Sequence, residues 1–233
     1  MTLTFDPQEW QRVYDVPSAA GQAYVFRRSS DLARELAAPF LRPGQRWLDV
    51  GCGTGQVTEQ LAGTVNVIGV DVDVEMLRFA KRRAGHSGRY LVAPAERLPF
   101  PDNSVDGIVA VSLVGCLASP PEFFTEAHRV LRPKGVAVMT FTNRASWLLR
   151  LNHLLPRRWI SAEPPRAYRL FTAGEVTRDL ISSGFVVRRV MLYNYVLHAG
   201  RWLIPPSRVA PQLDRWGIGW LARNFIVIAQ KTA

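Results

Sequence analysis

From residue 46 to residue 143 the chain alternates short, near-continuous apolar runs with amphipathic stretches. RWLDVG, VNVIGVD, RYLVA, VDGIVAVSL and GVAVMTFTN read as strands, and GQVTEQLAG, DVEMLRFAKRRAG and PEFFTEAHRVLRPKG as helices. Strands that show no polar face are buried on both sides. Helices between them carry the chain back across the sheet, so the pattern demands an α/β fold: a parallel sheet with helices on both faces. The punctuation agrees. Asp73 stands where an N-cap is needed, Gly85 where that helix stops, and a proline opens the third helix before a Pro-Lys-Gly exit.

The rhythm breaks twice. Residues 144–171 hold Trp147, Leu148, Leu151, Leu154, Leu155 and Trp159 among arginines and read as an inserted helical cap. TAGEVTRDLISSG then reads as a helix, FVVRRVMLY as a strand and NFIVIAQK as the last strand, with residues 195–221 forming a second insertion rich in Trp, Pro and Arg. A chain of 233 residues, 48% of them apolar, suits one domain. Its expected parts are a helical lead-in over 1–40, a ligand-binding core over 46–143, and lid or substrate insertions over 144–171 and 195–221. The first ten residues lack a basic segment followed by an apolar one, so no signal peptide is expected. No stretch reaches the roughly 18 apolar residues of a membrane span. The two cysteines, Cys52 and Cys116, fit a reducing, cytoplasmic setting.

The formal charge is +10, almost all of it arginine. Such an excess suits nucleic acid, an anionic membrane surface or an acidic ligand. The arginines lie in small pairs such as Arg27-Arg28 and Arg157-Arg158, with no long basic run, and read as charge spread over solvated faces.

WLDVGCGTGQ sets Gly51, Gly53 and Gly55 directly after a strand and before a helix. Glycines there make a tight turn, or let a ligand lie against bare backbone at a helix N-terminus. The spacing is G-x-G-x-G, because Gln56 follows Gly55; this excludes the dinucleotide fingerprint, and no Gly-Lys-Ser/Thr follows as a P-loop would require. Asp71 ends the next strand about 20 residues on, where an acid accepts hydrogen bonds from ribose hydroxyls.

LDVGCGTG, GVDVDVEML, AERLPFPDNSVD and HRVLRPKG together resemble the class I S-adenosylmethionine-dependent methyltransferases. They are most similar to the small-molecule and lipid branch that includes ubiquinone- and menaquinone-type enzymes. The resemblance implies a Rossmann-like seven-stranded sheet with the last strand antiparallel, helices on both faces and helical lid insertions. It implies S-adenosyl-L-methionine as cofactor and no metal. Asp49, Gly51, Cys52, Gly53 and Gly55 would pass beneath the cofactor, and Asp71 would hold its ribose. Val72 and Met76 would pack on the adenine, Ala95 would offer it a backbone N–H with Glu96 alongside, and Ser112 and Leu113 would line the cleft near the sulfonium. Arg28 or Arg27, with Tyr14 or Tyr24, would close over the cofactor carboxylate. One departure stands out: Pro94 occupies a position where many relatives carry an aspartate that accepts from the adenine amino group.

The implied reaction is direct in-line displacement, in which alignment and exclusion of water supply most of the catalysis. A general base is needed only where the nucleophile must lose a proton. His128, His153, His198, Tyr168, Tyr193 and Tyr195 are available. His128 reads as structural; His153 and His198, in the insertions, and Tyr193 are the candidates for a base, against the ordinary reading as packed or solvated residues. SLVGCL lacks the Asn-Pro-Pro-Tyr of nucleobase and glutamine enzymes and the Pro-Cys of cytosine enzymes, so Cys116 reads as a small buried residue. Gly115 and Cys116 also replace a histidine that many relatives have. The apolar insertions suit a hydrophobic or aromatic acceptor: a natural product, a quinone precursor or a lipid. Their arginine-edged faces also suit peripheral membrane contact. An RNA methyltransferase and a non-catalytic cofactor-binding protein are the alternatives, nucleic acid being disfavoured by the absence of a clustered basic tract. The expected assembly is a monomer or homodimer.

Overall fold

The computed structural model describes residues 22–84, 88–151, 168–194 and 219–232. Helix α1 (Gln22–Ala37) leads into β1 (Arg46–Val50), α2 (Gln56–Ala62), β2 (Asn66–Asp71), α3 (Val74–Ala84) and β3 (Tyr90–Val92). Strand β4 (Val105–Ala110), helix α4 (Pro120–Val130) and strand β5 (Leu131–Thr142) complete the alternating half. A short helix α5 (Trp147–Leu151), then α6 (Ala173–Ser182), β6 (Phe185–Tyr193) and β7 (Asn224–Lys231) follow. The strands form one seven-stranded sheet in the order β3-β2-β1-β4-β5-β7-β6. Strand β7 runs antiparallel to both its neighbours, β5 and β6, while β1 to β5 pair in parallel. This is the Rossmann-like arrangement with an antiparallel last strand.

Alternate side chains along each strand go to opposite faces. Leu48, Ile108, Phe141 and Phe225 pack with Phe123 and Phe124 of α4 and with Val176 and Leu180 of α6. Trp47, Val109, Val138 and Ile226 pack with Leu32 and Ala33 of α1 and with Val57 and Leu61 of α2. Covering both faces is why these strands show no polar alternation. The Phe141 ring anchors the first layer, stacked on Phe225 at 5.0 Å and edge-on to Phe171 at 5.6 Å.

The caps follow the expected chemistry. Asp73 Oδ1 accepts from the N–H groups of Glu75 (2.9 Å) and Met76 (3.2 Å). Thr172 and Glu175 form a capping box on α6. Gly85, the expected stop of α3, lies outside the described residues.

Two boundaries differ from the sequence reading. Strand β5 starts at Leu131, so the Pro-Lys-Gly run lies inside the strand, not on a helix exit. Lys134 takes φ +67° there, and the register against β4 slips between Val105 and Gly107. A bulge absorbs the residues that a regular ladder could not pair. Strand β4, read as reaching Leu113, stops at Ala110. Ser112 turns to φ +55° and gives its N–H to the Thr140 hydroxyl of β5 at 2.8 Å, which takes the chain out of the ladder.

Candidate functional site

The three glycines after β1 sit in one turn, at φ +71°, +51° and +80°. Two of them are also demanded by neighbours. A Cβ on Gly51 would stand 2.7 Å from Leu113 Cδ1, and one on Gly55 would stand 2.5 Å from the Tyr90 hydroxyl. Gly53 is different, since nothing lies within 4 Å of its added Cβ. The turn is tied to β2, because Val70 O accepts from Gly51 N (2.7 Å) and Cys52 N (3.1 Å). Tight packing thus accounts for Gly51 and Gly55, and the bare, open face belongs to Gly53.

Asp71, at the end of β2, stands beside that face. Its Oδ2 accepts from Gly53 N at 2.8 Å and its Oδ1 from Asp73 N at 2.9 Å. Each carboxylate oxygen has a second lone pair, so the group can still accept from a ligand. It is half-buried, and burial pushes its pKa up against those hydrogen bonds. Asp49, on β1, is 1% exposed and accepts from Thr58 Oγ1 at 2.6 Å. Burial drives its pKa to about 7, with the Asp71 charge adding to the effect. Burial first, then the charges of Asp49 and Asp71, push the half-buried Cys52 thiol well up.

Val72 is 54% exposed and Val92 52% exposed at the adjacent ends of β2 and β3, an apolar surface at the sheet's carboxyl edge. Met76 is buried in α3. Ala95 is buried, with Glu96 half-buried beside it in a turn closed by Arg97 N donating to Pro94 O at 3.1 Å. Among the described residues no group accepts from the Ala95 N–H. Pro94 is exposed and lines a cleft of about 560 Å³ with Val92, Arg97 and Arg129.

At the end of β4, Ser112 and Leu113 are half-buried, and Leu113 meets Gly51. Cys116, read as buried, is exposed. Its thiol lies 3.8 Å from Ser112 O, and its pKa is pushed up to about 11 by desolvation and by Asp71. A thiol held protonated in this way is a poor nucleophile.

The tyrosines divide. Tyr193 is 2% exposed and donates to Ser29 Oγ of α1 at 2.8 Å. Burial raises its pKa well above the usual phenol range. This places it as a strut between α1 and the sheet. Tyr168 lies instead at the β4 end, its hydroxyl 3.5 Å from Ser112 O. That juxtaposition spans more than fifty residues and leaves no local sequence signal. Arg28 reaches Glu35 only at 3.7 Å, and its buried Nε has no partner among the described residues. His153 and His198 lie outside the described residues.

A family model described as a methyltransferase domain matches residues 48–139. A demethylmenaquinone methyltransferase of Symbiobacterium thermophilum is 38% identical over 109 residues, 43% of this chain and 43% of that protein. The chain therefore spans less than half of that relative's length. A malonyl-[acyl-carrier protein] O-methyltransferase of Marinomonas sp. is 32% identical over 216 residues, 91% of this chain and 77% of that protein. Among solved structures, an S-adenosylmethionine-dependent methyltransferase of Thermotoga maritima superposes with a TM-score of 0.66 at 20% identity, over 97% of this chain and 95% of that one.

Proposed function

The chain belongs to the class I S-adenosylmethionine-dependent methyltransferases, and from that premise we propose that it transfers a methyl group to a hydrophobic or aromatic small molecule. The observation that carries the reading is the open face of Gly53 beside the half-buried Asp71. It is a cradle for a polar ligand against bare backbone, with an acid bonded to the turn at 2.8 Å and placed in sequence where a ribose-binding acid stands.

The residues present fit S-adenosyl-L-methionine. In this reading Asp71 accepts from the ribose hydroxyls through its unused lone pairs. The exposed Val72 covers the adenine, and the unclaimed Ala95 N–H donates to its edge. With Pro94 in place of an acid, that N–H and Glu96 carry the polar contacts on this side. Asp49 would face the amino-acid end of the bound cofactor, whose cationic amino group would hold its carboxylate ionised. Arg28, with its unpartnered Nε, is the candidate for the carboxylate. When bound, the cofactor supplies a methyl group on a positively charged sulfur, already a good electrophile. Ser112 and Leu113 then shape the space through which an acceptor approaches. Burial raises the Tyr168 pKa above the usual phenol range, so its hydroxyl stays protonated near neutrality. It therefore orients an acceptor as a hydrogen-bond donor and takes no proton.

The apolar acceptor is supported by the Trp- and Leu-rich stretches 144–171 and 195–221. In the described part of these stretches, Trp147 and Trp220 meet edge-to-face at 6.1 Å and are 50% and 47% exposed. The test is incubation with methyl-labelled cofactor and separate small-molecule, lipid and RNA fractions. Label is expected in the small-molecule or lipid fraction; label in RNA alone, or in nothing, rejects the reading. Asp71→Ala is expected to weaken cofactor binding by about a hundredfold in calorimetry, since it removes a charged hydrogen-bond acceptor and loosens the Gly53 turn. Unchanged affinity would displace the ribose from Asp71.

A further inference from the structure

At the carboxyl edge of the sheet, β5, β7 and β6 meet in register at Thr142, Asn224 and Tyr193. Arg223, the residue before β7, lies at this junction. Its N–H donates to Asn194 O at 3.2 Å, and its carbonyl accepts from Asn143 N at 2.8 Å. The residue is 6% exposed. Among the described residues no carboxylate pairs with its guanidinium. Of the polar groups at this junction, Asn143 Nδ2 donates to Ala222 O and Asn194 Nδ2 to Asn224 Oδ1, while the buried Asn194 Oδ1 has no partner among the described residues. Burial pushes the Arg223 pKa down to about 10, and among the described residues no counter-charge offsets it. A buried cation without a partner destabilises the chain that carries it.

The position gives the cation a use. Both breaks in the sheet pattern root here: stretch 144–171 leaves after Asn143, and stretch 195–221 runs between Asn194 and Ala222. Together they hold nine arginines against two acids, Glu163 and Asp214. Seven of the ten net positive charges therefore belong to these two stretches; the excess is not spread evenly. Gly53 and Asp71 belong to the β1 and β2 side, and β4 and β5 separate β1 from β7. Arg223 thus stands on the half of the sheet that the cofactor residues leave free.

We infer that Arg223 is an anion subsite for the methyl acceptor, which carries a carboxylate or phosphate group beside its apolar body. The inference rests on the methyltransferase reading and narrows its substrate class. A guanidinium offers a planar fork that matches either anion with two hydrogen bonds. Its deep burial favours the slim end of a small molecule over the backbone of a polyanion, whose phosphates meet exposed side chains.

Calorimetry on the S-adenosylhomocysteine complex tests this with decanoate, decyl phosphate and decanamide as probes. Wild type is expected to bind one of the anions at least about tenfold tighter than decanamide, a difference that a charge-assisted hydrogen bond supplies. Which anion binds tighter distinguishes carboxylate from phosphate. Arg223→Met is expected to abolish the preference and Arg223→Lys to keep part of it, with S-adenosylhomocysteine affinity unchanged in both. Free Arg223→Met is also expected to melt above wild type, since it loses no ion-pair partner among the described residues and relieves a buried charge. Equal binding of decanoate, decyl phosphate and decanamide by wild type, or a lower melting temperature for Arg223→Met, overturns the subsite. Tighter binding of an RNA oligonucleotide than of either anion also overturns it. Failure of wild type to bind S-adenosylhomocysteine at all rejects instead the methyltransferase reading beneath it.

Discussion

The Tyr168 ring fills the space that a side chain at Gly115 would take: a Cβ there would stand 2.7 Å from Cε2. The contact is fixed from the backbone too, since Arg169 N donates to Gly115 O at 2.7 Å. A glycine at 115 therefore admits a phenol from a distant segment to the end of β4, beside Ser112. Its 3.5 Å approach to Ser112 O is long for a hydroxyl bond, so little is lost when it turns to an acceptor. Tyr168→Phe is expected to lower kcat/KM for the acceptor about tenfold, near the value of one hydrogen bond, with cofactor affinity unchanged. Gly115→Ala is expected to lose at least as much by pushing the ring aside. Wild-type turnover in Tyr168→Phe would leave the ring a packing role only.

Arg129 joins two of the motifs that carry the family resemblance. Its guanidinium donates to Leu98 O and Phe100 O, each at 3.0 Å, to Asp102 at 2.6 Å and to Glu126 at 2.7 Å. Glu126 in turn accepts from Leu98 N at 2.6 Å. HRVLRPKG thus clamps LPFPDNSVD, and with it the turn that carries Ala95. Arg129→Leu leaves two loop carbonyls and two acids without their donor. It is expected to cost about 2–3 kcal/mol, measured as a lower urea midpoint, and to weaken cofactor binding in the same protein.

The β1 to β5 half was legible because its strands are buried on both faces and its helices carry ordinary caps, so local pattern and tertiary role coincide. Strand β7 was legible as a strand and the resemblance implied its antiparallel direction, but its place between β5 and β6 depends on pairing across the sheet, which neither periodicity nor the resemblance supplied. The early start of β5 has no local signal, because Pro-Lys-Gly usually ends an element, whereas here a bulge carries it. At the site, Asp71 and the glycine turn were legible from spacing. That Gly51 answers to Leu113 and Gly55 to Tyr90 was not, since those partners come from other strands. The charge of the insertions was present in the sequence, but it appears only when arginines are counted by segment and not by neighbouring pairs.

Tyr193 is buried and bonded on the sheet, unlike the hydroxyl proposed for Tyr168. Its bond to Ser29 is buried, and Thr140, which receives the Ser112 N–H, also contacts the Tyr193 hydroxyl. Tyr193→Phe is expected to cost about 1 kcal/mol of stability by leaving Ser29 and Thr140 without that partner. The rate with saturating acceptor is expected to stay within twofold of wild type. A pH-dependent collapse of kcat in this variant would restore Tyr193 as a base.

Asp49 gives the protein a pH signature of its own. Its carboxyl titrates near 3.8 when unfolded and near 7 when buried. Between those values the folded chain holds a proton that the unfolded chain has released, so stability falls as pH rises through this range. The loss is complete just above pH 7 and amounts to on the order of 4 kcal/mol at most. Asp49→Asn keeps an acceptor for Thr58 and cannot ionise. Its melting temperature is expected to match wild type near pH 4 and to exceed it by several degrees at pH 8, with the difference opening between pH 5 and pH 7. Saturating S-adenosylmethionine, whose amino group compensates the ionised carboxylate in the proposed pose, is expected to shrink that gap for wild type and not for Asp49→Asn. Parallel melting curves for the two proteins from pH 4 to pH 8 would show that Asp49 ionises in the folded chain without cost.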